Sequence, residues 1–412
     1  MRSRPLLGLA GAGVAIVAAL ALWLGRGDAK LATPAAAAPP PSGPQFFGQV
    51  ASNGALGVPD GRAERRRQLL ENVQLTEHTY CSYREGSRYP MESRPAAQNP
   101  DQLHPNQPVT EMNPMRVEGG GANTAVLLQT SQSRVYLAAG EAAAFSLRAV
   151  NAQGDTVPLV ITRAVAQGMT YGASRPTAQV ALPFADDGGG ADPVAGDGAF
   201  AGVLAPNQTG LAGFHGTIRT EVRYTAAGRN GFALFDVIYT PVLPAAWTGQ
   251  VREAVENGSL HFYLRAEVRQ PGRYVVSGRV DDARGKPFAL ATFNDELGVG
   301  SREVKLTVFG KLMTDGAPAL PLVLRDVDGY LLRENVDPDR LLMPRLEGKV
   351  FASRTQGMKG ISDAEWDSEE RTRYLTEYAR DRDAARAQLA AFDPAGPLPP
   401  GACPAPRVAP RP

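Results

Sequence analysis

Catalytic vocabulary is scarce in this chain. Its 412 residues include only four His, two Cys and three Trp. It contains no His-Glu-x-x-His, Gly-x-Ser-x-Gly, Ser-x-x-Lys or phosphate-binding Gly-rich loop. The metalloprotease, serine-hydrolase and nucleotide-dependent chemistries tied to those patterns therefore have no signature here. Net charge is equally spare, with 43 Lys and Arg against 42 Asp and Glu, and neither a basic patch nor an acidic tail. That balance argues against nucleic acid, which requires a concentrated positive surface. The two thiols, Cys81 and Cys403, are not in a Cys-x-x-Cys pair, and no His signature accompanies either, which removes the usual redox and nucleophilic readings.

One long apolar run is present. Leu6 to Leu24 follows Arg2 and Arg4 and is closed by Arg26 and Lys30. About 19 residues at about 1.5 Å each reach about 28 Å, close to a bilayer core and beyond the apolar segment of a cleavable signal. The expectation is an uncleaved single-pass anchor in the inner membrane, with its short amino-terminal tail in the cytoplasm and the bulk of the chain in the periplasm. The alternative is secretion after cleavage near Ala35–Ala38. No cysteine follows the run, which argues against a lipoprotein. In an exported chain, Cys81 and Cys403 are most simply one disulfide tying the two ends of the folded region together. Two separate thiols are the other reading.

The rest of the chain divides by composition. Residues 1–25 are read as the signal-anchor helix and 26–60 as a Pro/Ala-rich, extended linker. Residues 61–118 read as a strap with one short helix (GRAERRRQLLENVQL), whose Leu69, Leu70 and Val73 share a face, followed by an irregular stretch from Thr79 to Met115. From about residue 120 the pattern alternates with period two. In Thr217–Thr225, Ile218, Val222 and Tyr224 fall on one side. In Leu260–Val268, Leu260, Phe262, Leu264, Ala266 and Val268 oppose His261, Tyr263, Arg265 and Glu267. Short strands without intervening helices predict an all-β protein of two tandem Ig-like sandwiches, 119–243 and 244–345, bordered by PVLPAAW at 241–247. Residues 346–412 predict a C-terminal helix over 362–392, opened by a capping box at Ser362-x-x-Glu365, and then a Pro-rich tail. Asp367/Arg371 and Glu369/Arg373 are spaced to pair on that helix.

The densest chemical motif is the loop containing Asp186, Asp187, Asp192 and Asp197. Four carboxylates on a Gly-rich path can wrap a calcium ion through oxygen ligands. Asp-Gly pairs also form turns unaided, because Asp bonds its own backbone and Gly accepts positive φ. Asp281-Asp282 and Asp326/Asp328 read as further turn formers at strand ends.

The stretch DDGGGADPVAGDGAFAGVL (186–204) resembles the "DDG…GDA…AGDGVY" signature of bacterial exported proteins with choice-of-anchor X domains. Residues 258–313 resemble the Ig-like part that follows it in that family. Pro193 and Phe200 depart from the pattern without disturbing the turn. The resemblance implies an exported Ig-like protein with a variable anchoring device and supplies no reaction. Together these readings point to a non-enzymatic binding or scaffolding protein of the cell envelope. Its partner would be an envelope protein or a glycan, and its membrane contact the N-terminal helix. The alternative is an envelope hydrolase or accessory glycan-binding module using Asp and Glu groups, with or without calcium.

Overall fold

The computed structural model describes residues 61–170, 177–401 and 403. The apolar run and the linker lie outside the described residues, and no helix within them is long and apolar enough to cross a membrane.

The chain opens with α1 (Gly61–Gly86), crosses to a three-residue strand β1 (Ser93–Pro95), and runs through two short 3-10 turns at Ala96–Gln98 and Pro100–Gln102. A first sandwich follows, built from β2 (Val109–Arg116), β3 (Ala122–Gln132), β4 (Tyr136–Ala138), β5 (Ala143–Val150), β6 (Leu159–Gly168), β7 (Gln179–Ala181), β8 (Phe200–Leu204), β9 (Gly216–Ala226) and β10 (Arg229–Thr240). Its sheets have the orders β2-β3-β5-β8 and β4-β10-β9-β6-β7. All their pairings are antiparallel except β4 with β10. Phe145 and Phe235 stack between the sheets at 4.8 Å, at the centre of a core that includes Leu147, Ile218, Val222 and Tyr224.

The second sandwich comprises β11 (Ala245–Glu256), β12 (Ser259–Val268), β13 (Gly272–Asp281), β14 (Pro287–Leu297), β15 (Gly300–Val308), the short helix α2 (Gly310–Gly316), β16 (Val323–Leu332), β17 (Arg340–Leu342) and β18 (Leu346–Ala352). One sheet is β11-β12-β15; the other is β1-β14-β13-β16-β17 with β18 added on β16. The inward residues of β12 expected from the alternation, Leu260, Phe262, Leu264, Ala266 and Val268, are all buried in one core with Tyr274, Val276 and Leu324.

Four boundaries differ from expectation. β2 lies inside the expected strap, yet it pairs with β3 over its length. It is an edge strand exposed on both faces except at Met115, so it carries no period-two signal. The first helix runs to Gly86 and places Cys81 and His78 on it. Its polar second half is held by Thr76 and Thr79 hydroxyls bonding back to the carbonyls of Asn72 and Leu75 and by Tyr83 packing on Tyr374 and Tyr378. The last helix, α3 (Glu369–Phe392), starts seven residues late, capped by Ser368, whose hydroxyl accepts from Arg371 N. Ser362 does not open it, because its amide is taken by Gly258 O. Asp367 therefore sits outside the helix and accepts from Thr372, while Arg371 pairs with Glu365. The expected Glu369–Arg373 pair forms at 3.9 Å. β18 belongs to the second sandwich rather than to the C-terminal segment.

α1 and α3 run antiparallel, as the pairs Arg66–Asp393, Glu77–Arg386 and Arg84–Glu365 show. They share a small core of Leu69, Val73, Ala385 and Leu389. The Cys81–Cys403 disulfide forms, closing a separation of 322 positions and fastening the tail to α1.

Candidate functional site

The Asp/Gly loop between β7 and β8 is a lattice of backbone amides around carboxylates. Asp186 accepts from Gly196 N and Gly198 N, and the buried Asp192 from Gly188 N and Val194 N. Asp187 and Asp197 each accept from an amide two residues on, at Gly189 and Ala199. Positive φ at Gly188, Gly190, Gly196 and Gly198 gives the path its tight reversals. Asp186, Asp192 and Asp197 each offer an oxygen within 4.8 Å of the others. Three oxygens that close fit around one calcium ion at about 2.4 Å. Asp187 stands outside that trio. Asp186 and Asp192 already receive amide protons on both oxygens and Asp197 on one, so the loop holds its shape by its own hydrogen bonds.

The histidines are not gathered. His261, expected on the outer face of its strand, is buried beneath the Glu256 carbonyl, to which Nε2 lies at 3.1 Å, with Thr307 Oγ1 at 3.0 Å from Nδ1. Burial pulls its pKa below the ordinary value, only partly offset by the Glu256 carbonyl. This is a satisfied structural imidazole. His215 precedes β9 and is also lowered, by burial and then by Arg333.

A cleft that sequence reading did not locate lies on the outer face of the six-stranded sheet. There the 94–105 strap passes over β13, β14 and β16 and leaves a cavity of about 290 Å³. Antiparallel register places Thr292 opposite Ser277 and Ser277 opposite Asp328. These three side chains form a row across adjacent strands, and all line the cleft. Directly opposed side chains stand about 5 Å apart at Cβ. Asp326 and Asp328, expected as turn formers at a strand end, lie within β16. Asp326 adopts φ 49° at a bulge there, accepts from Gly348 N, and pairs with Arg279 at 3.3 Å. Arg279 is fully engaged, bonding also to Asp281 and Leu103 O.

Asp328 is different. Among the described residues it has no ion pair, and neither Ser277 nor Thr292 has a side-chain hydrogen bond. Burial pushes the Asp328 carboxyl above its usual range, opposed mainly by the Arg345 guanidinium. Arg94 spans the strap side, donating to Asn99 and Gln102, while its Nε is buried without a partner.

The two sandwiches are cross-braced beside this cleft. Arg345 donates to Tyr136 O at 3.0 Å and pairs with Glu141 at 3.9 Å. Arg134 bridges Glu141 and Glu347, and Arg340 lies over the rings of both Tyr136 and Tyr330.

No protein-family model matches the chain, and no curated protein matches it. Among solved structures it is similar to a DUF4785 family protein of Legionella pneumophila, at 12% identity, 57% coverage of each chain and a TM-score of 0.35. The chain thus spans little more than half that protein's resolved length. It is also similar to the Yersinia pseudotuberculosis adhesin InvE, at 12% identity over 53% of this chain and 58% of that one, with a TM-score of 0.15. Fibronectin(III)-like modules of Clostridium thermocellum CbhA match at 12% identity over 52% of this chain and 90% of theirs, with a TM-score of 0.19. Superpositions this loose carry no functional argument.

Proposed function

We propose that the chain is a non-enzymatic, membrane-anchored binding or scaffolding protein of the bacterial cell envelope, with Ig-like sandwiches facing the periplasm. The observation that carries this reading is the cross-braced pair of sandwiches, joined through Arg345, Arg134 and Arg340, beside an uncommitted cleft that the strap leaves on the second sandwich. Such bracing keeps two surfaces in fixed relation, as a recognition surface requires. The hydrolase alternative draws less support. The cleft's lining holds neither Trp nor Tyr, whereas a sugar-processing groove stacks rings on aromatic faces, and Asp326 is already neutralised by Arg279.

In-cell cross-linking of the full-length chain, followed by purification and mass spectrometry, tests the proposal. The expected product is one envelope protein at near-stoichiometric yield, cross-linked to the strap or the second sandwich. Repeated recovery without a protein partner, together with cleavage of envelope polysaccharide by the purified full chain, would overturn it.

A further inference from the structure

We infer that the cleft beneath the 94–105 strap is a recognition site for a primary ammonium group, as carried by a lysine side chain or a small aliphatic amine. The inference rests on the binding role proposed above and names the chemistry that this site takes.

Charge pairing around the cleft is nearly complete and leaves one sign over. Asp281 is paired with Arg279 and Arg325, Asp326 with Arg279, Glu141 with Arg134 and Arg345, and Glu347 with Arg134. Two carboxylates in this region have no cation within ion-pair distance among the described residues, Asp101 and Asp328, and both line the cavity. Against them stands one guanidinium held by neutral partners, Arg94, bonded to Asn99 and Gln102. The cleft therefore presents an excess of one negative charge, with Asp328 at its buried end. A half-desolvated carboxylate without a counter-ion is costly, and a bound cation relieves that cost.

The shape of the acceptor set selects among cations. An ammonium is a compact point charge with three donors, whereas a guanidinium is a planar fork suited to one bidentate carboxylate. Thr292, Ser277 and Asp328 supply two hydroxyl oxygens and one carboxylate in a row over three strands. This set fits three diverging N–H donors better than a planar fork. Leu290 and Pro105 also line the cavity and give apolar cover to an aliphatic stem, as lysine chains find when they lie along apolar surface. A dehydrated metal ion asks for more anionic oxygen than one carboxylate and two hydroxyls provide. Burial raises the Asp328 pKa against the pull of the Arg345 guanidinium, and binding an ammonium at the carboxylate would favour proton release.

The test is calorimetric titration of the purified full chain with Nα-acetyl-lysine methylamide, its Nε-acetylated form, the arginine equivalent and 1,5-diaminopentane. The lysine probe should bind saturably, and Nε-acetylation should abolish binding. Asp328→Asn should weaken binding at least about tenfold with a melting temperature equal to or above that of the wild type. Ser277→Ala, an exposed position, should weaken it a few-fold and guards against a folding artefact at Asp328. Tighter binding of the lysine probe than of the diamine would identify a protein side chain as the source, and the reverse a free amine. Equal binding of the acetylated probe, stronger binding of the arginine probe, or no binding by any amine would overturn the assignment. Cross-linking in cells reads out separately. A captured partner without amine binding removes the ammonium site alone, whereas amine binding without any partner removes the scaffold reading.

Discussion

Reducing the Cys81–Cys403 bridge is expected to open the helix pair while both sandwiches stay folded. α1 and α3 have 26 and 24 residues and, like most helices in proteins, depend on tertiary packing for most of their stability. Their shared core holds three large apolar side chains, Leu69, Val73 and Leu389. At about 1.5–3 kcal/mol each, these contribute about 5–9 kcal/mol before the entropy of ordering two helices is subtracted. Next to the second sandwich the chain is fastened by Trp366 N on Arg88 O and by Arg88 on Asp315. When the pair opens with the sandwiches intact, the bridge therefore closes only the segments outside those anchors. They amount to about 45 flexible residues, for which the chain-entropy relation gives about 4 kcal/mol. Loss of that restraint corresponds to a change of up to about a thousandfold in the opening equilibrium. Hydrogen exchange read by mass spectrometry, with and without reductant at one pH, measures it directly. Amides of α1 and α3 should lose about 100- to 1000-fold of their protection, while those of β12 and β13 should not change. Unchanged exchange in the helices, or simultaneous loss from the sandwiches, would refute the separation of the two cores.

Further outcomes are expected at the Asp loop, the brace and the buried tyrosines. Asp192→Ala strips a buried acceptor from the amides of Gly188 and Val194 and should cost about 2–3 kcal/mol in urea denaturation. Chelator should leave the wild-type melt unmoved, because loop amides already occupy these carboxylates; a chelator-induced fall in melting temperature would show that an ion carries the loop. Arg345→Ala breaks the brace to Tyr136 O and Glu141. It should cost about 2–3 kcal/mol and split the thermal transition in two, and a single unshifted transition would contradict the brace. Burial pushes Tyr224 and Tyr274 up to about 12, so the fold favours their neutral forms. Their contribution is fully present below the unfolded value of about 10 and is lost as pH rises from about 10 to 12, which denaturation at graded pH will show. Tyr274 donates to Pro244 O and Gln270 O, so Tyr274→Phe should cost about 1–2 kcal/mol. Tyr224 has a buried hydroxyl without a partner, and Tyr224→Phe should be neutral or stabilising.

Legibility in the sequence followed exposure. β12 could be read from residues alone because its inward residues, Leu260 to Val268, are apolar at every second position, while Arg265 and Glu267 on the other face meet water. β2 escaped because an edge strand exposed on both faces has nothing to alternate. β1 escaped because three residues in a Pro-rich stretch give no period at all, and their strand character comes from β14. Ser362 carried a sound capping signature that tertiary structure overrode: its amide donates to Gly258 O at 2.9 Å, and the helix starts at Glu369. His261 was placed on the correct face, but the Glu256 carbonyl covers that face. The Asp loop was visible because its residues are contiguous. The cleft was not, since Ser277, Thr292 and Asp328 become neighbours only through strand register.

The order in which the chain is threaded also sets where mechanical tension would travel. β1 joins the second sandwich before the first sandwich begins, so residues 109–240 form a side branch off a path running from α1 to the later domain. With the disulfide intact, a pull applied upstream of Cys81 and downstream of Cys403 passes from one cysteine to the other and reaches neither sandwich. Once the bridge is reduced, the same pull loads the Arg88 anchor on Asp315 and, behind it, β1, held by three residue pairs along β14. The redox state of one bond thus decides whether the cleft beneath that strap is shielded from force or lies on its path.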